Sequence, residues 1–274
     1  MDIGIFQLLP RPASRSDREV IAQGLREADF AEQHGFDSVW VTEHHLSDFG
    51  LIGAPSVYAT AVAARTRRIR IGYGVAVVPL HHPLRLAEEI AWLQELSGGR
   101  VLVGVGPGFS PFEFGAFGVP LEERHARLEE GLAILKLALS GEEFSYDGKF
   151  WQIPPVTLRP RMSSPPPLLR TSSADRSLRN ETDCYLLRRI VIAPTDEQAF
   201  DAFRATGTDD EKALCGSPAT VIRQLRELDS LGYQRLIGWF HFGDLPYDVV
   251  MRSMELMAVE VMPELRDPRL VVGS

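Results

Sequence analysis

The sequence predicts an α/β fold: a TIM-type (β/α) barrel of about seven strands, incomplete by one unit. Three observations carry that expectation. Short apolar runs alternate with helical stretches through the first half of the chain. Runs such as residues 69–77 are apolar on both faces, as strands of a parallel sheet covered by helices are. Between Thr171 and Tyr185 only 13 residues remain, too few for a helix, another strand and their loops.

The elements follow in order. Residues 3–8 form a β-prone run. Residues 17–34 carry Val20, Ile21, Leu25, Ala28 and Ala31 near helical spacing, and Gly35 stops them. Residues 38–41 are the second strand and the Ala-rich residues 55–65 the second helix. Residues 69–77 are the third strand. Pro83 opens a helix where proline is tolerated, and Gly98-Gly99 close it near Ser97. Residues 101–105 are the fourth strand and 121–139 a long helix. Residues 144–153 read as a hairpin turning at Asp147-Gly148. In the second half, 168–171, 185–193 and 235–239 read as strands, and 195–205, 219–231 and 247–262 as helices. All of this is expected in a single domain, residues 1–274.

Of the 274 residues 45% are hydrophobic, enough for a sizeable core. The net charge of −8 argues against a nucleic-acid or anionic-membrane binder, which needs a basic surface. No apolar run approaches the ~18–20 residues that cross a bilayer. The N-terminus lacks the pattern of a signal peptide. Cys184 and Cys215 show no metal-like spacing and are expected to be buried and inert. The expected location is the cytoplasm.

Chemistry concentrates where a barrel keeps it, in loops after the strands. Glu43-His44-His45 follows the second strand. Histidine ordinarily titrates near pH ~6.5, so His44 suits proton transfer at cellular pH. His44-His45 and His81-His82 invite a metal reading. Adjacent side chains diverge in extended backbone, however, and no cysteine or carboxylate cluster completes a site, so no metal is expected. The 104–108 glycine loop lets backbone approach a phosphate. It is not a dinucleotide fingerprint, since no helix follows at once. Ser172-Ser173 offers further donors, and a simple polar loop is an equal alternative. Of Phe109, Phe112, Phe114 and Phe117, most are expected to be ordinary core and some to pack the barrel mouth and shield the site from water.

The motifs VWVTEHH, HHPLRLAEE and LSGGR are long and ordered. Through them the chain closely resembles the bacterial luciferase-like monooxygenases, most of all the luciferase subunits, from Ile3 to about Arg161 and again in two later stretches. The resemblance implies a TIM barrel using reduced FMN supplied by a separate flavin reductase. Oxygen adds at the 4a carbon of the flavin, and the peroxide oxidises a small organic substrate. It implies that His44 is the acid or base, with Glu43 and His45 supporting it or reaching a subunit interface. Gly74-Val75 matches a non-proline cis peptide under the flavin ring. Gly106, Gly108, Ser172 and Ser173 match the phosphate site, and His82 is expected to make a structural or flavin-side hydrogen bond. Where luciferase has a phosphate-binding arginine, this chain has Pro107, so the grip is weaker or comes from Arg170 or Arg176. A truncated non-fluorescent flavoprotein of luminous bacteria offers the alternative of a flavin-binding or partner subunit without oxygenase chemistry. A deazaflavin-dependent oxidoreductase is a third reading. The apolar second helix predicts a dimer with an identical or a related chain.

Overall fold

The computed structural model describes residues 1–170, the last by its backbone only, and 185–266. In chain order the elements begin with β1 (Asp2–Gln7), α1 (Asp17–Gln33), β2 (Ser38–Val41), α2 (Pro55–Arg65), β3 (Arg70–Val77) and α3 (Pro83–Ser97). They continue with β4 (Val101–Gly106), α4 (Pro111–Ala116), α5 (Arg124–Leu139), β5 (Phe144–Asp147), β6 (Gln152–Val156) and β7 (Leu168–Arg170). The remainder are β8 (Leu186–Ile192), α6 (Asp196–Ala205), β9 (Leu214–Gly216), α7 (Pro218–Ser230), β10 (Arg235–Trp239), α8 (Tyr247–Leu256), a π-helical segment (Met257–Val261) and α9 (Met262–Arg266). The chain groups into two compact units: Val41–Thr171, and Met1–Trp40 with Ser172–Ser274.

In the unit containing both termini, β1 pairs in parallel with β10, β10 with β8, and β8 with β9. The registers Gly4↔Ile237 and Trp239↔Arg189 align the strands. Ile3, Ile5, Leu236, Ile190 and Ile192 are buried, as strands sandwiched by helices require. α1 starts on a capping box: the Ser16 hydroxyl accepts the Glu19 amide at 3.3 Å, and Glu19 accepts the Ser16 amide at 2.8 Å. Among the described residues β9 pairs with β8 alone, and it is additional to the seven strands read from the sequence. Cys215 lies in it, buried, and burial raises its thiol to about 11.

In the 41–171 unit, β3 pairs in parallel with β4 and β4 with β7. Ile71, Tyr73, Val103 and Val105 are buried. α3 begins as expected, with Pro83 in its first turn, and Gly98 at φ 71° closes it. Arg100 locks the helix ends. Its guanidinium donates to the carbonyls of Ser97, Ile69, Ala63 and Thr66 and to the Thr66 hydroxyl, at 2.7–3.2 Å. These include carbonyls that the ends of α2 and α3 leave without intrahelical partners. The hairpin β5–β6 is held by Glu130 of α5, whose carboxylate accepts the amides of Lys149, Phe150 and Trp151.

The α/β fold with parallel strands matches the sequence reading. Among the described residues, β7 and β9 each pair with one strand of their own unit. The segment where the deleted unit was read, 171–184, lies outside the described residues, as do Ser172, Ser173, Arg176 and Cys184. Two details differ from the sequence reading. The helix read over 121–139 is a short 3-10 turn followed by α5. The helix read over 247–262 passes into a π segment after Leu256.

Candidate active site

The residues around Glu43, from the 74–75 peptide to Glu113, belong to the 41–171 unit. The chain leaves β2 through Thr42 and buries Glu43. Burial alone would raise the Glu43 carboxyl. The hydrogen bonds from His45 and His81, the His81 charge and the Val77 amide outweigh it and hold the group at about 2. The carboxylate is therefore an acceptor only. One oxygen takes His45 Nε2 at 2.9 Å and His81 Nε2 at 2.8 Å. The other takes the backbone amide of Val77, the last residue of β3, at 2.8 Å. Burial pushes the His81 imidazole down, but the Glu43 hydrogen bond and the charges of Glu43 and Glu89 raise it above its ordinary value. Glu43 thus fastens the exits of two strands to each other through three N–H donors.

His44 is placed differently. Its side chain is 15% exposed, and its Nδ1 lies 3.1 Å from Glu113 Oε1. The same oxygen accepts the His45 backbone amide at 2.9 Å. Glu113 is buried in α4, a helix not read from the sequence. Among the described residues, the other ring nitrogen of His44, Nε2, has no hydrogen-bond partner. Phe49 and Phe109 meet the His44 ring edge-on at centroid distances of 4.8 and 5.9 Å. Phe117 meets His45 at 4.6 Å. Leu46, Phe49, Phe109, Phe112 and Phe117 are exposed, and of the four phenylalanines after β4 only Phe114 is buried. Leu46 takes the left-handed backbone region, φ 58°, which few residues other than glycine adopt.

The backbone features are distinct. The Gly74–Val75 peptide is cis. β3 is buried along most of its length but half-open at these two residues, where its register with β4 shifts. Gly106 ends β4 opposite Val77. Gly108 has φ 70°, and a Cβ there would lie 2.6 Å from Val77 Cγ1 and 2.8 Å from Phe114 Cε2. Only glycine lets this loop pass. His82 stands apart from the glutamate cluster. It is exposed, and its ring accepts the Leu84 amide at 3.3 Å as the cap of α3. His81, not singled out for the site by its motif, is the one that reaches Glu43. Among the described residues no group of three or more His, Cys, Asp or Glu is placed to hold a metal.

Glu113 had a partial signal. Ser110-Pro111-Phe112-Glu113 has the spacing of a capping box, and the Ser110 hydroxyl does accept the Glu113 amide at 3.3 Å. The glutamate side chain, which in such a box turns back to the cap, reaches His44 and His45 instead.

The model of the luciferase-like monooxygenase family matches residues 1–183, and the chain belongs to that family. It is 35% identical over 152 residues to 4-hydroxyprotoasukamycin monooxygenase of Streptomyces nodosus subsp. asukaensis, covering 54% of this chain and 41% of the relative. Monooxygenase RslO1 from Streptomyces bottropensis has a TM-score of 0.86 at 25% identity, covering 97% of this chain and 100% of that one. The oxygenating constituent of 3,6-diketocamphane monooxygenase from Pseudomonas putida is a type II Baeyer–Villiger enzyme in complex with FMN. It has a TM-score of 0.81 at 20% identity, covers 96% of this chain and 98% of that one, and shows the fold alone. The matches span 47%, 41% and 45% of three of the curated relatives, about half their length or less.

Proposed function

We propose that this chain is a monooxygenase that uses reduced FMN from a separate reductase to oxidise a small organic substrate. The observation that carries the reading is the state of His44. Its ring is partly open at the exit of a strand, one nitrogen is engaged by a buried carboxylate, and the other has no partner among the described residues. A histidine so placed can hold or move a proton at Nε2. The group fits what is present. The half-open step at Gly74–Val75 suits a planar ring, and the glycine-rich 106–108 loop offers backbone amides to a phosphate. When bound, reduced flavin supplies the electrons that put one atom of dioxygen into the substrate and release the other as water. The protein's part is to bind, orient and exclude water. Phe49 and Phe109 set apolar ring edges against the proton-transfer group. Glu43, His45 and His81 fix the loop that presents His44.

The reading includes a single domain over residues 1–274, a cytoplasmic location and a dimer with an identical or related chain. Among the described residues, no helix is long and apolar enough to cross a membrane. For the dimer, α2 buries Tyr58, Ala59, Val62 and Ala63 but leaves Val57 72% exposed. The neighbouring α3 exposes Trp92 and Leu96 by 58% and 59%. Such large apolar side chains on two adjoining helices suit a subunit contact.

The test is anaerobic titration with reduced FMN, followed by reaction under isotopically labelled dioxygen with a panel of aldehydes, ketones and phenols. Binding plus label in a product supports the reading. Flavin binding with no labelled product across the panel supports the non-catalytic subunit. No FMN binding but turnover with a deazaflavin would replace both.

A further inference from the structure

We infer that Glu113 is a positioning residue that fixes the tautomer of His44, so that His44 meets the substrate as a hydrogen-bond acceptor and works as a base. This rests on the proposed role of His44. The Glu113 Oε1 that lies 3.1 Å from His44 Nδ1 also accepts the His45 amide, so it serves as an acceptor there and the contact places the proton on Nδ1. Neutral imidazole carries one ring proton, so Nε2 then presents a lone pair. The Glu113 oxygen also accepts the His45 amide at 2.9 Å, which ties the carboxylate to the loop backbone rather than to the mobile ring alone. Glu113 is 4% exposed, and the Ser110 cap fixes the turn of α4 that carries it. A rigid, buried acceptor behind one nitrogen orients the ring and selects the tautomer, as second partners of catalytic and metal-bound histidines do. The other two histidines of the cluster show the contrast. His45 and His81 both direct Nε2 at Glu43, so in them that nitrogen must carry the proton and is used up. Of these three, only His44 keeps Nε2 for a ligand. The proton it receives comes from an acidic X–H of the substrate, such as a phenol or an enolisable carbonyl, and leaves with product or through solvent.

Nitrogen-15 NMR of histidine-labelled protein, recorded well above the ordinary imidazole pKa, reads the tautomer without any turnover. The expected result is the Nδ1–H form for His44 in the wild type. In Glu113→Ala that preference is lost, and turnover falls about 10- to 100-fold with reduced-FMN affinity unchanged. Glu113→Gln keeps an acceptor oxygen and so retains the tautomer. An Nε2–H or doubly protonated His44 in the wild type overturns the inference, and so does an unchanged tautomer in Glu113→Ala. If the tautomer behaves as expected but His44→Ala turns over normally, the functional reading fails and the positioning contact stands.

Discussion

Replacing Glu43 by glutamine should cost stability before it costs anything else. One carboxylate accepts three N–H donors, from His45, His81 and Val77. Glutamine offers one oxygen and one NH2 group. Whichever way it turns, either the Val77 amide or the two imidazoles face a donor. Two routes give the size of the loss. Holding the carboxyl at about 2, against an ordinary 4.5, corresponds to roughly 3 kcal/mol at about 1.4 kcal/mol per unit. Removing one partner of a buried ion pair typically costs about 3–5 kcal/mol. At 3 kcal/mol, and about 2–4 °C per kcal/mol for a chain of this size, Tm drops by roughly 6–12 °C. The sign of the pH dependence follows from linkage. The folded value lies below the unfolded one, so the contribution is complete above the ordinary value of 4.5 and is lost as pH falls through about 2. Thermal unfolding of wild type and Glu43→Gln from neutral pH downward should show a gap that narrows below about pH 5. A variant as stable as wild type at neutral pH, or a gap that stays constant into acid, would refute the reasoning.

Four further outcomes follow. His44→Ala should lower product formation about 100-fold while circular dichroism stays unchanged, the scale of a lost acid–base group. His81 has its folded value raised, so its contribution to stability is full below the ordinary 6.5 and fades as pH rises through the folded value; denaturant unfolding of His81→Gln should lack that alkaline slope. Gly108→Ala combines a left-handed backbone with contacts to Val77 and Phe114, and should lower stability by about 1–3 kcal/mol, read from the urea midpoint. Sedimentation at micromolar concentration should show a dimer that Val57→Glu with Trp92→Glu converts to monomer; a monomeric wild type ends the proposal.

Long periodic elements were legible in the sequence because their signal is spread over many residues. α1, α2, α3 and β10 fall within a residue or so of the ranges read. β9 and α4 were not, because three and six residues hold too little periodicity to stand out. The strand-end position of Glu43-His44-His45 was legible. The partner of His44 was not, since Glu113 lies 69 residues further on and only the fold brings it near. His82 drew attention over His81 by its place before Pro83, and that place makes it a helix cap. The phenylalanines after β4 defied composition: hydrophobicity reads as core, yet Phe109, Phe112 and Phe117 stay exposed.

The arginine of LSGGR bears on how sequences of this kind should be compared. Arg100 donates to carbonyls at the ends of two helices and of the residue leading into β3. A query that retrieves relatives by this motif therefore selects for a way of terminating helices. Two chains can share it fully and differ in every group that touches a substrate. On the roles proposed for His44 and Glu113, transfer of an activity between such chains would be conditioned on positions 44 and 113 together, a pair that no contiguous pattern contains.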